Sequence, residues 1–231
     1  MGPQSFLQKY PSHPSIGYSS VEMLIQNLDV NSTVVFYYPT IPHKQRDLNS
    51  LLLLKNFQNS IVLCEKPSHC TAGEAKEFRD QLTEQGIDNK RFLVGMHSSL
   101  HVSRAHFLKL VESSKGEITD INIIFNYPKN PHAPGDARVY KKPIGGVMLD
   151  LGVYVFQMAK EIGQVIGFDL FSFDKETKDI YIKKTPDGVD FEVVANLNYN
   201  GIKVRLETKI NPGTNHTEEA SVTLKNGDKI T

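Results

Sequence analysis

The chain has 231 residues, 39% of them hydrophobic, which is enough to bury a sizeable core in one or two domains. Its 26 Lys plus Arg balance 26 Asp plus Glu, so no net field favours nucleic acid or an anionic membrane. The longest aliphatic run, Leu51–Leu54, is far short of a spanning helix, and the first residues carry no basic-then-apolar signal pattern.

The elements read in order as follows. A helix over Val21–Leu28 precedes a strand at Val34–Tyr38, a helix at Lys44–Phe57 and a strand at Ile61–Cys64. Ala75, Phe78 and Leu82 fall at helical spacing within a helix over Ala72–Gln85, and a strand at Arg91–Gly95 follows. Strands alternating with helices imply a parallel sheet. After a helix at His101–Ser113 the texture changes. Ile118–Tyr127 is strand-like, Pro128–Gly135 is a proline-rich loop, and Met148–Ile162 is a helix. Phe168–Phe173, Ile180–Lys183, Glu192–Tyr199, Ile202–Ile210 and Glu219–Leu224 are short alternating runs punctuated by turns such as Asn200-Gly201, as expected of an antiparallel meander.

Two segments carry chemistry. The first is Ile61-Val62-Leu63-Cys64-Glu65-Lys66-Pro67, an apolar strand ending in an acid, a lysine and a proline. Ligands of open α/β sheets bind outside the carboxyl ends of such strands. Pro67 restricts the backbone of Lys66, and burial can bring a lysine into the range of proton transfer. Read alone, Lys66 is either a solvated strand-end lysine or a cleft lysine. The second segment runs Gly145-Gly146-Val147-Met148-Leu149-Asp150-Leu151-Gly152-Val153-Tyr154. On a regular helix, Asp150 and Tyr154 share a face, so a carboxylate and a phenol look into one space. The alternative is a core helix in which Asp150 caps the first turn and Tyr154 packs.

Together these segments resemble the Gfo/Idh/MocA oxidoreductases, which pair a Glu-Lys-Pro strand end with a later Gly-Gly-x-x-x-Asp-x-Gly-x-(His/Tyr) helix start. A tyrosine at 154 resembles the branch of glucose–fructose oxidoreductase, dimeric dihydrodiol dehydrogenase and NADP-dependent xylose dehydrogenases. Tyr18–Leu24, the strand running into Pro39-Thr40-Ile41-Pro42-His43, Arg138 before the double glycine, and the Glu219–Val222 strand with its Asn226-Gly227 turn resemble further family features in the right order. The resemblance implies a Rossmann-type parallel sheet over residues 1–97, followed over 98–231 by an α+β substrate and dimerisation domain with an open, mostly antiparallel sheet. It further implies hydride transfer between NADP or NAD, with NADP favoured, and a CH–OH group of a sugar, polyol or trans-diol. Lys66 and Tyr154 would handle the hydroxyl and its proton, with Asp150 orienting substrate. Pro39, Thr40, His43, Glu65, Lys66 and Pro67 would line the cofactor cleft, and His97 and Arg138 would contact substrate. A homodimer through the antiparallel sheet is expected.

The departures from the family are also informative. No Gly-x-Gly-x-x-Gly turn is present to hold a pyrophosphate at a helix N-terminus. The opening Gln4–Tyr10 resembles the helix after the family's second strand, and Lys229–Thr231 reads as a strand cut short. The expectation is a fragment or incomplete gene model, inactive by itself, with Val34–Tyr38 left as an unpaired edge. The alternative is a sugar- or nucleotide-sensing regulator on the same fold. His101, His106 and His132 read as solvated or capping, and no His/Asp/Glu set has metal-ligand spacing. Cys64 and Cys70 suit neither a disulfide framework nor a zinc site, so reduced thiols and a cytoplasmic setting are expected.

Overall fold

The computed structural model describes residues 18–39, 44–129, 145–168 and 179–231, and the chain divides into two compact units after Gly95. The first unit runs α1 (Val21–Asn27), β1 (Val35–Tyr38), α2 (Lys44–Asn56), β2 (Ile61–Glu65), α3 (Ala72–Glu84) and β3 (Phe92–Gly95). Side chains mark the helix starts. Ser20 accepts a hydrogen bond from the Met23 amide at 3.2 Å, and Thr71 and Glu74 form a reciprocal capping box.

The three strands are parallel in the order β1-β2-β3, in the register Phe36↔Val62↔Phe92. Phe36, Val62 and Phe92 therefore face one side, where they pack on Leu51 and Leu54 from α2, Phe57 just past its end, and Phe78 and Leu82 from α3. The other side is open: Val35 is 58% exposed and Tyr37 53%. Among the described residues β1 pairs only with β2. Cys64 lies on the covered side, where burial pushes its thiol up to about 11. A thiol reagent at pH 8 is therefore expected to label the half-buried Cys70 in the native protein and Cys64 only after denaturation, as a timed absorbance titration would read.

The second unit contains α4 (Val102–Ser113), β4 (Ile118–Tyr127), α5 (Val153–Ile166), β5 (Asp179–Lys184), β6 (Asp190–Tyr199), β7 (Ile202–Ile210), β8 (Thr217–Leu224) and β9 (Lys229–Ile230). Its sheet has the order β5-β6-β7-β4-β8-β9. This corrects the expected meander. β7 and β8 do not pair; β4 lies between them, parallel to β7 and antiparallel to β8. β4 takes the central place because its alternating Ile121 and Ile123 give the sheet a deeply buried apolar row, which needs neighbours on both sides. That row packs with Val204, Leu206, Ala195 and Val222 against Phe107 and Val111 of α4 and Val155, Ala159 and Ile162 of α5. The expected strand at Phe168–Phe173 falls almost wholly outside the described residues.

The opposite face carries an ion-pair ladder. Lys183 meets Glu192 at 3.0 Å, Glu192 meets Lys209 at 3.3 Å and Lys209 meets Glu207 at 3.1 Å. Asn126 donates to Glu207 at 3.0 Å. Buried acids persist only when paired in this way. Burial pushes the Glu207 carboxyl up, but bonds from Asn126, Arg205 and Lys209 outweigh it and hold its pKa below the ordinary value. A depressed pKa contributes stability above the unfolded carboxylate range, near pH 4.3, that is lost as pH falls through the folded value. Glu207→Gln should therefore flatten the acid limb of a stability-versus-pH curve, measured by urea unfolding. No described helix is long and apolar enough to cross a membrane.

Candidate active site

The carboxyl ends of the parallel strands bring several candidates to one edge of the first unit. β1 runs into Pro39, β2 ends at Glu65 and continues through a cis Lys66–Pro67 peptide, and β3 ends at Gly95. Arg46, fully buried at the start of α2, donates to the Ser68 carbonyl and pairs with Asp47 at 3.0 Å, so the segment just past Pro67 is tied to the helix. Glu65 accepts a hydrogen bond from the Tyr37 hydroxyl at 2.6 Å, which raises the Tyr37 pKa and lays the carboxylate along the open sheet face. Thr40, His43 and Arg138 lie outside the described residues. His97 opens a 3₁₀ turn, His97–Leu100, shortly after β3.

The second unit holds Asp150 and Tyr154. The helix start that contains them is not regular. Met148–Gly152 forms a π-helical turn, and the α-helix proper begins at Val153. Tyr154 lines a cavity of about 360 Å³, but Asp150 is not among its walls. Asp190 at the head of β6 accepts the Met148 amide at 2.8 Å, while the Asp150 amide bonds to the Gly146 carbonyl at 3.1 Å.

The double glycine now has a physical reason. Gly146 has φ +132°, and a Cβ there would run into the Asp190 carboxylate. Gly146→Ala is expected to cost roughly 1–3 kcal/mol from backbone strain, with a further loss from displacing Asp190. A chemical denaturation midpoint close to that of the parent would refute this. α5 ends at Gly167, whose φ of 82° is left-handed and whose amide bonds to the Gly163 carbonyl at 2.9 Å.

The cavity lies between α4, α5 and the ends of β4 and β8. Phe107, Ile123, Phe125 and Met158 form apolar walls, and Ser98, His101, Ser103, Tyr154 and Glu218 supply polar groups. A few polar groups in an apolar concavity of this size suit a small molecule. Tyr154 packs on Phe125 with ring centroids 5.3 Å apart. His101, exposed at the start of α4, has its Nδ1 3.1 Å from the Ser103 hydroxyl. In the cavity wall, the buried Arg104 donates Nε to Glu161 at 2.6 Å and Nη1 to Ser98 at 3.0 Å, and Glu161 also accepts from Ser99 at 3.1 Å and Gln157 at 2.8 Å. Sequence reasoning missed Arg104, Phe125, Glu161 and Asp190. Phe125 lies in a run that reads only as strand-like, and nothing local marks a partner fifty or so residues away.

No family model matches the chain, and no curated protein sequence matches it. Solved structures do. The aldose–aldose oxidoreductase of Caulobacter crescentus aligns over 98% of this chain and 70% of its own length, with a TM-score of 0.67 at 15% identity. KijD10, a 3-ketoreductase of Actinomadura kijaniata solved with NADP, aligns over 95% of this chain and 61% of its own, with a TM-score of 0.64 at 21% identity. The dehydrogenase MviM of Clostridium difficile aligns over 96% and 62%, with a TM-score of 0.58 at 16% identity. The chain shares their fold. It spans 58% and 56% of the lengths of two further oxidoreductase structures, from Bacillus subtilis and Klebsiella pneumoniae. The common fold is a parallel sheet with helices followed by a mixed, mostly antiparallel sheet.

Proposed function

We propose that this chain belongs to an NAD(P)-dependent oxidoreductase acting on a CH–OH group of a sugar, polyol or trans-diol. The observation that carries this reading is the combination, within one oxidoreductase-like fold, of a strand-end Glu65-Lys66-Pro67 on the parallel sheet and a Tyr154-lined cavity beside the second sheet. Residues 1–97 would be the dinucleotide-binding portion, and 98–231 the substrate and dimerisation portion. The open, ion-paired face of the second sheet would form the homodimer contact.

The residues present fit the nicotinamide end of such a cofactor. Pro39, Glu65, Lys66 and Pro67 lie at or just past strand ends, where α/β sheets bind ligands, and Thr40 and His43 would join them. They do not supply the pyrophosphate end, since no Gly-x-Gly-x-x-Gly occurs in the 231 residues. Bound at the strand ends, the nicotinamide would supply the hydride acceptor or donor. Lys66 and Tyr154 would hydrogen-bond the reacting hydroxyl, and one of them would take its proton as the carbonyl forms. Asp150 would orient neighbouring hydroxyls, with His97 and Arg138 helping to position substrate. NADP is favoured over NAD by the tyrosine-bearing branch that residue 154 resembles, and the NADP held by KijD10 is consistent with it.

The test is absorbance at 340 nm with the full gene product, NADP or NAD, and a panel of aldoses, polyols and trans-diols. Dinucleotide reduction with one of these classes is expected, and none with any would overturn the proposal. Residues 1–231 alone are expected to bind NADPH more weakly than micromolar by calorimetric titration, because the phosphates lack amide donors at a helix N-terminus. A sugar- or nucleotide-sensing regulator is the second reading, favoured by the same missing loop. Sugar binding without turnover by the full gene product would select it.

A further inference from the structure

Tyr154 is the first ring of an aromatic chain that leaves the cavity. Its neighbour Phe125 stands 6.2 Å from His216, and His216 stands 5.4 Å from Tyr127 at an interplanar angle of 74°. Phe125 and Tyr127 are two residues apart on β4 and so project from the same sheet face. Phe125 is part of the cavity wall and of the core, but Tyr127 is 44% exposed and His216 is also exposed. Two rings meeting edge to face at the surface form a corner with one flat wall and one perpendicular wall.

The corner is held in place. The loop between β7 and β8 that carries His216 is anchored on Tyr127: the Asn211 amide donates to the Tyr127 carbonyl at 3.2 Å. Within the loop, the Thr214 hydroxyl donates to the Asn211 carbonyl at 2.7 Å, and the Gly213 amide donates to the Asn211 side chain at 3.1 Å. A ring arriving there would meet a preformed surface and would not have to order it, which favours affinity.

We propose that Tyr127 and His216 form a second subsite, continuous with the Tyr154 cavity through Phe125, for a flat ring that the substrate carries beyond its reacting hydroxyl. This rests on the reading of the Tyr154 cavity as the substrate site. The shared chemistry is a planar apolar face, either an aromatic aglycone or the CH face of a second sugar ring. Stacking on aromatic rings contributes through area and through the quadrupole of the π face, which a methyl group in the same place cannot match.

The experiment uses the whole chain with ¹³C-labelled tyrosine and histidine side chains, titrated with phenyl β-glucoside, cellobiose, methyl β-glucoside and phenol. Phenyl glucoside or cellobiose is expected to bind roughly 2- to 10-fold more tightly than methyl glucoside. It should shift the Tyr127, His216 and Tyr154 signals together, and its advantage should vanish in Tyr127→Ala and in His216→Ala. Which of the two probes shows the advantage identifies the ring. Equal affinity for all the glucosides, an advantage that survives both substitutions, or unmoved Tyr127 and His216 signals with every probe would overturn the subsite. If phenol moves Tyr127 and His216 while no glucoside moves Tyr154, the subsite stands and the substrate reading of the cavity fails.

Discussion

Replacing Lys66 by methionine is expected to cut turnover of the full gene product by about 10²–10⁴-fold, the usual contribution of a general acid–base group. Methionine is close to lysine in length and removes the ammonium, so the loss isolates proton handling from packing. Dinucleotide affinity should change far less than turnover, because a proton-relay residue acts mainly in the transition state. Tyr154→Phe, which keeps the ring against Phe125 and removes only the hydroxyl, should fall in the same range. The pair of variants also separates their roles. Removing the residue that takes the proton should abolish the pH dependence of kcat/KM, while removing the other should leave that dependence in place. Wild-type turnover in Lys66→Met would remove Lys66 from the mechanism, whatever the fold.

The second large effect is structural. Glu161→Ala should destabilise the protein by about 3–5 kcal/mol, because it strands a buried guanidinium. The Arg104 side chain is only 6% exposed, and Glu161 takes its Nε at 2.6 Å. Removing the carboxylate also frees Ser99 and Gln157, which donate to its other oxygen. Replacing both partners, as Arg104→Met with Glu161→Leu, should recover most of the loss, since paired apolar groups carry no desolvation cost. Urea unfolding of the parent, the single variant and the double variant measures it. A single-variant loss below about 1 kcal/mol would mean the pair behaves like an exposed surface bridge. Because this network joins the Ser98–Ser99 turn, α4 and the α5 helix that bears Tyr154, the single variant should also blur the cavity before it unfolds the chain.

Much of the first unit was legible in the residues. The helix over Ala72–Glu84 follows from Thr71 and Glu74 as a capping box and from Phe78 and Leu82 at helical spacing. The strand at Ile61–Glu65 follows from a continuous apolar run closed by Pro67, and its parallel pairing follows from the helix on either side. The last strands follow from alternation and from turns such as Asn226-Gly227, whose glycine sits at φ 88°. These signals are local, and local sterics and local burial are what residue patterns encode.

What the residues by themselves determined, then, is the kind of each element and the candidate groups at its ends: Lys66 after β2, Tyr154 at a helix start, the glycines before it. The order of the second sheet was decided only in three dimensions, because β7 could pair with β8 or with β4 and the choice depends on which strand offers the more deeply buried row to the common core. The π turn was decided there as well. Asp190 claims the Met148 amide across 42 positions of sequence, and Gly146 makes room for its carboxylate beside the π turn. The same holds for Arg104 and Glu161, 57 positions apart, and for the His216 ring beside Tyr127. Pairings at such separations leave no periodic trace in a single chain, since each partner alone is an ordinary polar or aromatic residue. Only the packing that brings them together gives them a role.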